Sequence, residues 1–329
     1  MAEWLYEDGI GERRAALVEN GKIIAAEVER DGDGVSVGSV LPARLIAHDR
    51  VHRRARVRLD DGAEAWLARP PAALTEGAAL MVRITRMALR EAGRDKPAQA
   101  MPTEPGEAAH SGPDLFARIS ATGHAVVRLR SGDPADRLEA AGWSELTDAA
   151  RTGVWPFDGG ALVLSLTPAM LVIDVDGDLA LPALAAAGAV AVGAAIAALG
   201  LAGSIGFDFP TLAGRADRQR IDALLDTHVP PPFERTAMNG FGFVQIVRRR
   251  ERPALIERMQ LDPVRSDALG LLRRAGRALG TGVLTLTARP AVIDAIAAHA
   301  EWTDRLAVQT GRAIMLSPDP ANQGSGHAQ

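Results

Sequence analysis

Short apolar runs alternate with turn-forming residues through the first part of the chain, and longer helical periods take over later. Residues 5–29 read as a β-meander: one strand ends at Asp8-Gly9, residues 13–19 alternate toward Asn20-Gly21, and residues 22–28 resume the alternation. An Asn-Gly pair between two such runs is a strong hairpin signal. After the Asp/Gly turn at 31–34, residues 35–85 break into short strands, among them 51–59, 63–67 and 79–84, split by turns such as Asp60-Asp61-Gly62. Five short strands of this kind predict a small barrel of OB type. Residues 91–114, rich in Pro, Gly, Ala and charge, read as a linker or long loop.

Beyond this point residues 115–129 read as a strand pair and 133–153 as one or two short helices. Strands at 161–166 and 170–175 flank Thr167-Pro168, residues 183–199 are helical, and 203–209 form a strand. An amphipathic helix at 215–228 stops before Val229-Pro230-Pro231-Pro232, and a strand at 241–247 runs into the basic segment 248–252. A helix at 266–279, a strand at 282–286, a helix at 290–299 and a strand at 313–316 complete the pattern, with a polar tail from Pro318 expected to be disordered. No internal repeat is visible.

With 329 residues the chain has room for two or three domains at roughly 100–200 residues each. Aromatics are only 4%, so the core must be built mainly from Ala, Val, Leu and Ile. The net charge of -4 argues against a protein coated in nucleic acid by bulk charge, but leaves room for a local basic groove. Lysine occurs only at 22 and 96, so the positive charge is nearly all arginine, which suits bidentate phosphate contacts and is equally what a GC-rich genome produces. The absence of cysteine excludes disulfides, thiolate zinc sites and cysteine nucleophiles. The start has no basic and apolar leader, which predicts a cytoplasmic protein without a signal peptide. The uncharged stretch 179–207 is long enough to span a bilayer. It is mostly Ala and Gly, is interrupted by Pro182 and Gly188, and is flanked by Asp178 and Asp208 rather than cations, so a buried helix and strand are expected instead of a membrane segment.

The segment Met170-Leu171-Val172-Ile173-Asp174-Val175-Asp176-Gly177-Asp178 delivers carboxylates at the end of an apolar strand, with Asp174 and Asp176 on one face. Gly203-Ser204-Ile205-Gly206-Phe207-Asp208 is a second apolar strand ending in an acid. A strand-helix-strand unit tends to set its strands side by side and parallel, so Asp174 and Asp208 are expected to meet at one sheet edge. Paired carboxylates repel unless a cation lies between them or one is protonated, and hard oxygen ligands suit Mg²⁺. An aspartate after a strand also serves as a turn or helix-cap residue, and spacing alone leaves that role open. Asp176-Gly177-Asp178 opens like a calcium loop, but Leu and Ala occupy the later ligand positions. The run Arg248-Arg249-Arg250-Glu251-Arg252 offers phosphate contacts or simply a solvated strand end. In the barrel, Arg53, Arg54, Arg56 and Arg58 with Trp66 match a single-strand binding surface, although a core or rim tryptophan fits as well. His52, His124 and His228 share no ligand spacing, so no histidine metal role and no zinc are expected.

In order and spacing these segments resemble the ribonuclease E/G endoribonucleases. The resemblance rests on Arg13-Arg14-Ala15-Ala16-Leu17-Val18-Glu19-Asn20-Gly21, on Lys96-Pro97-Ala98-Gln99-Ala100, on Gly159 to Met170 leading into Asp174-Val175-Asp176-Gly177, on Gly206-Phe207-Asp208-Phe209, on 241–255, and on Ala268-Leu269-Gly270-Leu271-Leu272-Arg273 within 266–318. It implies an α+β fold. Residues 1–34 and 103–158, the latter with a shortened sensor region, would form an RNase H-like subdomain interrupted by an S1-like barrel at 35–102. A DNase I-like α/β catalytic subdomain (159–258), a small C-terminal α/β domain (259–318) and a disordered tail (319–329) would follow.

The activity implied is magnesium-dependent endonucleolytic hydrolysis of single-stranded RNA. Asp174 and Asp208 would be catalytic metal ligands, and Asp176 would stand where the family has an asparagine near the metal. Trp66, Lys96, Arg128 and Arg248 would contact RNA. Several departures stand out. Without cysteine the family's zinc-linked dimer is not available. Val57 and Leu59 lie where an exposed Phe is usual, with Trp66 replacing another. Arg128 in Gly123-His124-Ala125-Val126-Val127-Arg128 matches a phosphate-binding arginine, but Leu129 replaces the Thr that follows it. The helix after Asp178 has lost the family's polar residues. A non-catalytic RNA-binding or regulatory relative, or a different metal-dependent phosphoesterase, are the alternatives.

Overall fold

The computed structural model describes every residue except Ala92, Arg94, Pro105 and Gln323. Strands β1 (Glu3–Asp8), β2 (Glu12–Glu19) and β3 (Lys22–Arg30) form the opening meander. Asn20 and Gly21, both at positive φ (51° and 76°), make the β2–β3 turn that twists the hairpin correctly. Strands β4 (Val40–Asp49), β5 (Arg54–Leu59), β6 (Glu64–Ala68), β7 (Ala79–Arg86) and β8 (Ala98–Pro102) close a barrel in the order β4-β5-β6-β8-β7. Alternation sets its two surfaces: Ala55, Val57 and Leu59 are buried inside, and Arg56 and Arg58 point out. β8 lies in the stretch whose composition reads as linker. Only Ala98 and Ala100 point into the barrel, too short an alternation to stand out among Pro and Gly.

The next segment corrects the sequence-based strand pair. Residues 115–120 form helix α1 (Leu115–Ser120), started by the Asp114 carboxylate accepting from the Ala117 N–H at 2.7 Å, with Leu115 and Ile119 buried on one side. β9 (Ala125–Leu129) follows and pairs parallel with β1, so the first sheet runs β3-β2-β1-β9 and the barrel is inserted between two of its strands. Helices α2 (Arg137–Ala140) and α3 (Trp143–Thr152) lead to β10 (Val154–Phe157), which already belongs to the next sheet.

That sheet contains β10, β11 (Gly160–Leu166) and β12 (Leu171–Gly177), then helix α4 (Leu181–Leu199), β13 (Gly203–Asp208), helix α5 (Arg215–His228), β14 (Glu234–Arg235) and β15 (Phe243–Arg248). Its order is β10-β11-β12-β13-β15-β14, with β12 and β13 parallel across the α4 crossover. α4 is long and apolar enough to cross a membrane, and 56% of its apolar window is buried here against the sheet and α5. Its two glycines are contact points. A Cβ on Gly188 would come within 2.4 Å of the Val175 side chain, and one on Gly193 within 2.3 Å of the His228 carbonyl.

Helix α6 (Leu255–Leu261) packs on α3 and buries Leu255, Ile256 and Met259 in the large core. Helix α7 (Pro263–Ala275), strand β16 (Leu284–Ala288), helices α8 (Pro290–Ala297) and α9 (Ala300–Thr310), and strands β17 (Ile314–Pro318) and β18 (His327–Ala328) form the C-terminal unit, whose sheet is β17-β16-β18. The expectation of a disordered tail at 319–329 is corrected at its end, where His327 and Ala328 pair with β16 and the Thr285 N–H donates to the Gln329 carbonyl at 2.8 Å. Backbone bonds hold this strand, so polarity gave no sign of it. Buried ion pairs tie the first sheet and the turn after it to α6 and to the C-terminal unit. Glu7 accepts Arg14 (2.7 Å) and Arg277 (2.8 Å), Glu12 accepts Arg30 (3.4 Å) and Arg273, and Asp33 accepts Arg258 (2.7 Å).

Candidate functional site

The six-stranded sheet has two unlike faces. Leu171, Ile173 and Val175 of β12, Ile205 and Phe207 of β13, and Val244 and Ile246 of β15 point into the core shared with α4. The residues between them point the other way, and there Asp174, Asp176 and Asp208 are exposed. Asp174 stands directly beside Asp208 in the parallel β12–β13 register, on backbones about 4.8 Å apart. Asp176 follows on the same face two residues along, its carboxylate accepting from the Gly177 N–H at 2.9 Å.

Among the described residues no arginine, lysine or histidine lies within ion-pair distance of these three carboxylates. Burial pushes the Asp174 carboxyl up, and the neighbouring Asp208 and Asp176 charges push it further. Negative charge is therefore concentrated here without a protein counterion. Among the described residues no group of three or more His, Asp or Glu is arranged to hold a metal ion. Two hard carboxylates side by side remain a fitting set for Mg²⁺, which keeps most of its waters and takes one or two protein carboxylates together with substrate phosphate.

The same face carries polar residues that sequence reasoning missed. Ser204 and Gly206 precede Asp208 at two-residue steps, and Gln245, opposite Gly206, donates from Nε2 to Ser204 Oγ at 2.9 Å. The alternation in Gly203–Asp208 was the available signal. Ser204 also lines a cavity of about 650 Å³ between sheet and barrel, together with Arg86, Lys96, Gln99, Met170 and Arg250. From Ser204 to Asp208 the face runs about 13 Å along the strand.

On the barrel, Arg56, Trp66, Gln99 and Arg86 stand side by side across β5, β6, β8 and β7 and point outward. Arg54 stacks on Trp66 at 4.0 Å, while Glu64 pairs with both Arg56 (3.4 Å) and Arg58 (3.6 Å). Val57 and Leu59, where the resemblance implies an exposed Phe, are buried inside the barrel. Lys96 reaches the cavity and is paired with Glu91 at 2.7 Å. Arg128 lies on the edge strand β9, stacked on Phe116 at 3.7 Å.

Arg248 is not brought to the acidic pair. It follows Val244 and Ile246 in the alternation of β15, so it lies on the helix-covered face and donates to the Pro230 carbonyl. Four of the five residues at 248–252 are arginine, and such a run hides which ones face which way. In comparisons with known proteins, no family model and no curated protein matches the chain.

Proposed function

We propose that the chain is a magnesium-dependent endoribonuclease of the ribonuclease E/G kind, hydrolysing phosphodiester bonds of single-stranded RNA. On this proposal the first sheet is the RNase H-like subdomain, the barrel its S1-like insertion, and the six-stranded sheet the DNase I-like catalytic subdomain. One observation carries it: Asp174 and Asp208 stand in register on an open sheet face, with no protein cation to neutralise them. A bound Mg²⁺ would supply Lewis-acid stabilisation and a water of lowered pKa.

The chain's own residues would do the rest. Asp174 and Asp208 hold the ion, and Asp176 adds negative charge beside it. Ser204 and Gln245 offer hydrogen bonds to a strand lying along the face. The Arg56-Trp66-Gln99-Arg86 row supports the same strand on the barrel through base stacking and phosphate contacts.

The test is cleavage of a fluorescent single-stranded RNA by wild type, Asp174→Asn and Asp208→Asn. Wild type is expected to cleave only with Mg²⁺, and each variant to lose about 10²–10³-fold in rate. Unchanged cleavage in the variants removes the site assignment. RNA binding without cleavage by any of the three favours a non-catalytic relative. The Glu64 pairs that partly neutralise the barrel's arginines make affinity a separate question from cleavage.

A further inference from the structure

A second cavity, of about 440 Å³, opens on the other side of the six-stranded sheet, between β3, the C-terminal end of α4 and the basic run after β15. Its lining combines apolar atoms from Ala25, Ala197 and Leu201 with the side chains of Arg248, Arg249 and Arg252. The charges there do not balance. Arg258 is neutralised by Asp33 through two bonds of 3.0 and 2.7 Å, and Glu27 by Arg118 at 3.1 Å. Glu251 is shared between Arg249 (3.1 Å) and Arg252 (3.2 Å). Among the described residues Arg248 has no carboxylate within ion-pair distance, and its one acceptor is the Pro230 carbonyl.

Glu251 is the one carboxylate bonded to these three arginines, and Glu27 and Glu29, which share Arg118, also attract Arg252. Burial pushes both the Arg248 and the Arg252 guanidinium below the ordinary value, the mark of cations held out of water. The carbonyl end of α4 adds about half a negative charge at this spot, which does not cancel the positive excess left at Arg248. A half-buried guanidinium without a counterion is expensive to maintain, and an anion from solution is the remaining partner.

We propose that this cleft is a binding site for a phosphomonoester of about mononucleotide size, with Arg248 and Arg252 holding the phosphate and the apolar lining at Ala25, Ala197 and Leu201 taking the rest. The site is separate from the acidic pair, because Arg248 and Asp208 project from opposite faces of the sheet. A free nucleotide and the phosphorylated end of an RNA share this chemistry.

Calorimetric titration with AMP, adenosine and a 5′-phosphorylated tetranucleotide tests it. AMP is expected to bind and adenosine not. Tetranucleotide binding as tight as AMP assigns the site to RNA ends, and weaker binding to free nucleotides. Arg248→Gln and Arg252→Gln are each expected to weaken AMP at least about tenfold. Ala197→Phe fills part of the cavity while keeping both arginines and is expected to weaken it as well. Asp208→Asn is expected to leave AMP binding unchanged, which separates this site from the proposed catalytic one. No AMP binding by wild type at millimolar concentration, or affinity unchanged in a folded Arg248→Gln or Ala197→Phe, overturns the proposal.

Discussion

The same residue types are handled in opposite ways at two places in this molecule. Where the first sheet meets the C-terminal unit, carboxylates are buried and each is matched. Glu7 is 0% exposed and Glu12 3% exposed, and each accepts two arginines. On the open face of the six-stranded sheet, Asp174, Asp176 and Asp208 are exposed, and among the described residues no cation pairs with them. Burial pushes Glu12 up, but the Arg273 and Arg30 guanidiniums outweigh it and hold the carboxyl below its ordinary value. At Asp174 burial and like charge act together, and the carboxyl is raised. Where arginine supplies the counterion, an acid is part of the scaffold. Where the chain supplies none, it is free to take one from solution.

The largest effect is expected from breaking a matched carboxylate. Glu12→Gln keeps the shape and leaves Arg30 and Arg273 buried without a partner charge, which should cost about 3–5 kcal/mol. Urea unfolding of the variant against wild type measures this, and a change under about 1 kcal/mol would show that the network is dispensable. Acid probes the same groups together. Burial raises Asp33 and Asp136 too, and their Arg258 and Arg14 partners respectively bring them below the ordinary value, as at Glu12. Groups held low contribute stability that is complete above their unfolded pKa, near 4, and is lost as pH falls through the lower folded values. The urea midpoint should therefore drop in that acid window. The Glu12→Gln penalty should shrink over the same range, and a penalty independent of pH would contradict the charge-pair account.

Much of the candidate site was legible in the sequence because it rests on short-range rules. Alternation in Leu171–Gly177 put Asp174 and Asp176 on one face, and the apolar crossover between the strands set β12 beside β13. The closed barrel was legible from its turns, and the structure shows it inserted between β3 and β9. Contacts distant in sequence were hidden. Arg277 meets Glu7 across 270 positions, and β18 is held by backbone bonds to β16. α1 was misread because Leu115 and Ile119 suit a buried strand until the Asp114 cap is seen to start a helix. The face occupied by Arg248 was illegible for another reason: only the strand's end, Gly203 opposite Arg248, fixes the register inside the basic run.

A smaller effect sharpens the contrast from the unmatched side. A ligand that binds only the folded chain stabilises it by about 2.7 kcal/mol at one hundred times its Kd. Mg²⁺ should therefore raise the melting temperature at pH 7, with little or no rise in Asp208→Asn. Because the Asp174 carboxyl is raised, protons compete with the metal earlier than at an ordinary aspartate, so the Mg²⁺-induced rise should fade as the pH is lowered. A rise of equal size in Asp208→Asn would place the ion elsewhere.

The smallest effect has the opposite sign to the first. With metal removed by chelation, Asp174→Asn should leave stability within about 1 kcal/mol of wild type, and slightly above it at neutral pH. The sign follows from the raised carboxyl. An acid with a higher pKa in the folded state than in the unfolded one favours folding most fully below the unfolded value, and that contribution disappears as pH rises through the folded value. At pH 7 the ionised side chain carries the repulsion from Asp208 and Asp176 with no counterion, and an amide relieves it. Adding Mg²⁺ should invert the ranking, since wild type then gains a ligand that the variant has lost. Melting curves of both proteins, with and without the ion, resolve all four states. A metal-free Asp174→Asn clearly less stable than wild type would mean that this carboxylate is tied into the scaffold as Glu12 is, and the distinction between the two regions would fail.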